Sequence, residues 1–226
     1  MLLTGLIGLH IVCGFMALVS MVVPVATKKG GRVHRRSGRV YVGSMAGVVV
    51  SALTICALRL MEPSADHQGA LFLGLVGVLA GANTLYGVRV LQQKSRKEPH
   101  RDLFDRGVAA VAVAVGGMGT LFGFYAGHPL FIAFGLLTVS LGVGQLREMA
   151  APWKDKKAWL VSHLSNMFAA CIATTTAFLV VNQPRLPTEV AELVPPLVIW
   201  LTPTVVGSPM IFWWSRRVRS SRAGAT

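Results

Sequence analysis

Two of the six histidines, His10 and His163, lie well inside long apolar runs, and no Asp or Glu does. A neutral imidazole is the commonest metal ligand among side chains and a ready hydrogen-bonding partner for a polar ring. An ionisable group at membrane depth costs several kcal/mol and is by default a site candidate. The missing carboxylates argue against an acidic proton or sodium relay and against a di-iron carboxylate bundle. On His163's helix, Asn166, Met167, Ala170 and Thr174 follow at i+3, i+4, i+7 and i+11, so the polar positions line one face. That stripe is either a hydrogen-bonded packing surface between helices or a ligand or metal site. His10 shares its face with Cys13 and Gly14. Small neighbours let a flat ring approach, although a histidine satisfied by a neighbouring helix would look the same. A third candidate, His34, sits among arginines. An HRR cluster could ligate, clamp a phosphate or carboxylate headgroup, or simply anchor topology. Asn83 and Asn166 are the hydrogen bonders that would support these histidines.

The elements that must position these residues are membrane spans. The chain has 226 residues, 53% hydrophobic and 14% charged, against roughly 25% charged in a soluble domain. About 20 apolar residues cross a bilayer core, and seven such runs occur, at about 2–26, 40–58, 69–91, 107–126, 130–146, 158–181 and 194–214. The expected fold is an all-α transmembrane bundle forming a single integral domain over residues 1–226.

Orientation follows from charge. With alternating sides, Arg59 and Arg185 are the two basic residues on one side, against Glu62, Asp66, Glu189 and Glu192. The other side carries 20 basic residues against five acidic ones. That bias is the positive-inside pattern; it places the N-terminus outside and the C-terminus in the cytoplasm. Residues 28–39, KKGGRVHRRSGR, read as the first inner basic loop, six of twelve residues being Lys or Arg. The net charge of +13 therefore points to a membrane surface with anionic lipid headgroups and not to nucleic acid. The first apolar run lacks a positive leader region and is too long for a signal peptide, so it should remain as a helix.

Further local signals refine the picture. Gly43 and Gly47, Gly77 and Gly81, and Gly119, Gly123 and Gly127 are spaced for close helix approach. Asp102 or Asp105 could cap the fourth helix, and Pro129 suits the first turn of the fifth. The last run contains Pro195, Pro196, Pro203 and Pro209 and should be kinked or broken near 202–209. Cys13, Cys56 and Cys171 fall inside spans with no CxxC pairing, as inert thiols would.

Helical depth constrains any haem. At 1.5 Å per residue, His10 and His163 lie about 14 Å apart along the membrane normal. Two axial nitrogens on one iron are only about 4 Å apart. A redox reading needs two sites, with His67 or His128 as outer partner to His10 and His34 as inner partner to His163.

The combination of His10 with Gly14, KKGGRVHRRSGRVYVGSM at 28–45, HLSNMFAACIATTTAFLVVN at 163–182 and WLTPTVVGSPMI at 200–211 resembles the DUF2306 family of bacterial membrane proteins. The resemblance runs from the first span to the seventh. It implies a multi-pass protein of the bacterial plasma membrane and not an activity. On that resemblance the motif histidines are His10, His34 and His163, while His67, His100 and His128 fall outside the motifs. The functional expectation is a non-enzymatic or redox-assisting protein whose His-lined site takes a b-type haem, a metal ion or a quinone-like molecule. A small-molecule transporter built on a broken seventh helix is the alternative. An assembly subunit, partnered through its glycine faces or as a homo-oligomer, is the third.

Overall fold

A computed structural model describes residues 1–185, 187–188 and 194–220; Glu189 and Glu192, expected on the outer loop, lie outside the described residues. The fold is all-α. Seven long helices occur among the described residues: α1 (Leu2–Ala26), α2 (Arg32–Leu60), α3 (His67–Arg89), α4 (Leu103–Ala126), α5 (Pro129–Met149), α6 (Ala158–Asn182) and α7 (Pro196–Ser220). Among the described residues six helices, α1 to α6, are long and apolar enough to cross a membrane.

The termini of these helices follow elementary capping chemistry. Asp102 caps α4, its carboxylate accepting from the Asp105 N–H at 2.9 Å. Pro129 occupies the first turn of α5, where its missing N–H costs nothing. Gly127 closes α4 in the left-handed region at φ 64°, a conformation that favours glycine.

Two expectations are corrected. The basic stretch is not a loop: α2 begins at Arg32, after Gly30 turns at φ 74° and Gly31 caps in extended conformation. Arginine is a good helix former, and once the chain has turned nothing from Arg32 onward interrupts the ladder. The seventh helix is not broken either, since α7 runs continuously through Pro203 and Pro209. Each proline removes a single i→i−4 bond, and the intact turns on either side carry the helix across.

The residues group into two compact units. The first comprises Met1–Ala82 and Arg101–Ala150, which hold α1, α2, the start of α3, α4 and α5. Here α1 packs on α2 through the face that carries His10, Cys13 and the fully buried Ala17. The α2–α3 contact uses glycines of α3: a Cβ at Gly74 would lie 2.8 Å from Cys56 Sγ, and one at Gly81 would lie 3.0 Å from Val49 Cγ1. On its other side α3 meets α4 and α5, with Phe72 edge-on to Phe131 and Phe134 at centroid distances of 5.5 and 5.3 Å.

Helices α4 and α5 pack backbone to backbone. The buried face of α4 runs Ala109, Ala112, Gly116, Thr120 and Gly123, in steps of three and four that keep one side inward. A Cβ at Gly116 would lie 2.8 Å from both Gly135 O and Val139 N, and one at Gly123 would lie 2.7 Å from Ile132 N. The buried hydroxyls are satisfied within their own helices: Thr120 Oγ1 donates to Gly116 O at 2.9 Å and Thr138 Oγ1 to Phe134 O at 2.6 Å.

The second unit comprises Asn83–His100 and Ala151–Thr226. Its framework is α6 paired with α7, including Phe168 edge-on to Trp214 at 4.9 Å. The end of α3 and the turn after it are pinned from the 151–157 segment. Trp153 Nε1 donates to Gln93 O at 2.5 Å, and the Arg96 guanidinium lies 3.7 Å from the centre of the Trp153 ring. That stacking is a cation–π contact.

Candidate functional site

The three motif histidines share one device. Each presents Nδ1 to an oxygen: His10 to Ser51 Oγ at 2.9 Å, His34 to Pro24 O at 3.1 Å and His163 to Gly87 O at 2.7 Å. A backbone carbonyl only accepts, so His34 and His163 donate from Nδ1–H. In the neutral ring Nε2 is then the nitrogen with the lone pair.

For His34 and His163 the acceptors are carbonyls at helix ends. Pro24 lies in the last turn of α1 and Gly87 in the last turn of α3. The last four carbonyls of a helix have no intrahelical donor, and a histidine at that end also suits the helix dipole. His34, in the first turn of α2, thus caps α1, and Lys29 Nζ joins it by donating to Pro24 O at 2.8 Å and Val25 O at 2.5 Å. His163, in the second turn of α6, caps α3. Glycine at 87 allows the approach: a Cβ there would meet Met167 Sδ at 2.8 Å and Asn166 Cβ at 3.2 Å.

His10 is different. Its acceptor is a side chain in mid-helix, and Ser51 is 1% exposed. Ser51 Oγ lies 2.6 Å from Gly47 O and 3.0 Å from Val48 O. A hydroxyl has one proton, and the shorter contact assigns it to Gly47 O. The oxygen can then only accept from His10, which places the proton on Nδ1 and the lone pair on Nε2. A fixed Nδ1–H with Nε2 left over is how imidazole ligands are oriented in metal and haem proteins, and the carbonyls at His34 and His163 orient those rings in the same sense. One turn along, a Cβ at Gly14 would meet nothing within 4 Å. Gly47, by contrast, is occupied: a Cβ there would lie 2.6 Å from Cys13 Sγ.

His10 and His34 do not converge. His34 and Ser51 lie on the same helix, 17 residues apart, which separates the His34 and His10 positions by about 25 Å along α2. The outer partner expected for His10 is also elsewhere. His67 Nε2 bonds Glu62 O at 2.9 Å, just beyond the end of α2. Nine residues separate Ser51 from Leu60, about 13 Å of helix, far more than one iron can bridge. His128 instead packs edge-on against Phe131 at 5.3 Å, and its Nδ1 is buried without a partner. Among the described residues, no group of three His, Cys, Asp or Glu donors close enough to share an ion includes His10, His34 or His163.

The polar face of α6 is present as expected. Asn166 is 8% exposed and donates from Nδ2 to Ser162 O at 2.9 Å, while Thr174 Oγ1 donates to Ala170 O at 2.8 Å. Asn83 is buried on α3, one turn from Gly87. Nearby, the hydroxyl of Thr84 is buried without a hydrogen-bond partner, as is that of Thr176 on α6. The residues that sequence reasoning missed are the acceptors, Ser51, Pro24 and Gly87. Nothing local marks them, since the first and last lie 41 and 76 positions from their histidines. No family model, curated protein or solved structure matches the chain.

Proposed function

We propose that this is a seven-span protein of the bacterial plasma membrane, N-terminus outside and C-terminus cytoplasmic, of the DUF2306 type. It holds a redox-active ring ligand, a b-type haem or a quinone-like molecule, beside α1 at His10. The single observation that carries this reading is the Ser51-anchored imidazole of His10 at mid-span, next to the open backbone of Gly14. Nε2 of that ring would ligate a haem iron or accept a hydrogen bond from a quinol hydroxyl. A bare metal ion fits less well, because such ions take three or four protein donors and His10 belongs to no group of that size among the described residues. The transporter alternative loses its main support, since α7 is unbroken.

The test is the absorption spectrum of detergent-purified protein, with elemental analysis and solvent extraction of quinones. His10→Ala should abolish the bound ligand. Ser51→Ala, which leaves the imidazole but removes its anchor, should weaken binding by roughly 10- to 100-fold. His163→Ala should retain the ligand. Protein that is colourless, free of iron and free of extractable quinone refutes the proposal.

A further inference from the structure

The turns of α2 that sequence reading assigned to a loop bring Arg32, Arg35, Arg36 and Arg39 onto one side of a helix. Their spacing of i, i+3, i+4 and i+7 places them within one face. All four are exposed. They point away from Tyr41 and Met45, each 1% exposed, which mark the buried side of the same helix.

The stripe is electrostatically uncompensated. No Asp or Glu precedes Glu62 in the chain. Among the described residues the side chains of Arg32, Arg35 and Arg36 make no hydrogen bond or ion pair. Arg39 only donates from Nε to the Arg35 carbonyl, at 3.3 Å. The four arginines extend over about 10 Å of helix axis, more than the depth of one headgroup layer.

The same face then changes character. Seven residues beyond Arg36 comes Gly43, followed by Ala46 and Val50, all exposed, with Val50 at 66%. A Cβ at Gly43 would meet nothing within 4 Å. One continuous outward line therefore offers guanidiniums first and a shallow, small-residue apolar track second. Arginine is the preferred side chain for gripping phosphate, through paired N–H donors.

We propose that this face of α2 binds an anionic phospholipid, its headgroup phosphate held by Arg32, Arg35, Arg36 and Arg39 and an acyl chain lying along Gly43 and Ala46. The apolar continuation selects a lipid over a free phosphate, which would gain nothing from it. The proposal is independent of the ligand at His10.

Native mass spectrometry of the full-length protein released from detergent tests this, with phosphatidylglycerol as the probe and phosphatidylcholine as the neutral reference. The wild-type chain should retain phosphatidylglycerol over phosphatidylcholine by about tenfold or more, since each basic residue near the surface contributes roughly fivefold. The quadruple substitution of the four arginines by glutamine should remove that preference. A milder Arg35→Gln/Arg36→Gln pair should reduce it severalfold, which keeps the test open should the quadruple variant fail to fold. Gly43→Trp, which keeps every charge, should also weaken retention. A charge-matched control replacing Lys97, Arg101, Lys154 and Lys156 by glutamine should leave the preference intact. Equal loss in the control, unchanged retention in the Arg35/Arg36 pair, or displacement of the lipid by millimolar inorganic phosphate overturns the proposal.

Discussion

The α4–α5 contact permits a test with two adjacent glycines and one substitution. A Cβ at Gly116 would lie 2.8 Å from Gly135 O and Val139 N and 2.9 Å from Thr138 Cβ. Carbon contacts are most favourable at about 3.5–4.0 Å, so Gly116→Ala intrudes by roughly 0.7 Å on two backbone atoms, which cannot rotate away. Overpacking of this kind costs about 1–3 kcal/mol, and two backbone contacts on the facing helix put this case near 3. Alanine also gains about 1 kcal/mol over glycine in helix propensity, leaving a net loss of about 2. At Gly117 a Cβ meets nothing within 4 Å, so Gly117→Ala keeps the propensity gain alone. The two variants should differ by about 3 kcal/mol. Reversible unfolding in mixed micelles, followed by far-ultraviolet circular dichroism as denaturing detergent is titrated in, measures the difference. The double variant Gly116→Ala/Gly135→Ala should fall short of the sum of its parts, because each substitution separates the same two backbones. Equal effects at Gly116 and Gly117 would refute the reasoning, since helix propensity would then outweigh the backbone clash.

Three other expectations concern helix ends and topology. His163→Leu removes the donor to Gly87 O and should cost about 1–3 kcal/mol, the penalty for an unsatisfied carbonyl. Amide exchange should accelerate locally, over residues 87–92, and a change spread evenly along α3 would exclude a capping role. Pro203→Ala restores a backbone donor within a helix that is already continuous and should stabilise α7, whereas a functional break would make the variant destabilising; the same denaturant titration reads the sign. Reporter fusions at His34 and Gln183 should fall in opposite compartments, since an odd number of spans separates them in the proposed topology. Recovery in one compartment would overturn the seven-span arrangement.

The six long apolar helices were legible because their signal is additive: some 20 consecutive side chains contribute, and no single one decides. Asp102 and Pro129 were legible because capping acts within one turn. The glycine pattern was only partly so. Spacing singled out Gly119, Gly123 and Gly127, but these do three different jobs. A Cβ at Gly119 would meet Leu75 of α3 at 3.1 Å, Gly123 meets α5, and Gly127 turns the chain. The contact of α4 with α5 runs instead through pairs seven apart, Gly116 with Gly123 and Gly135 with Gly142, and only the facing helix reveals that register. The candidate site was legible as a set of histidines and not as a geometry. A histidine's role depends on what lies opposite, and Pro24, Ser51 and Gly87 are ordinary residues in their own stretches. The structure gives all three imidazoles an Nδ1 partner, a helix-end carbonyl for His34 and His163 and a mid-helix hydroxyl for His10.

With α1 paired to α2, α4 to α5 and α6 to α7, the Phe72 and Leu75 side of α3 is covered only by helices that come later in the chain. Those residues pack on α4 and α5, which the ribosome produces later. During synthesis that flank of α3 must therefore rest against lipid or the insertion machinery until the α4–α5 hairpin closes at Met149. The order of the helices in the chain thus delivers this side of α3 before either of the helices that cover it.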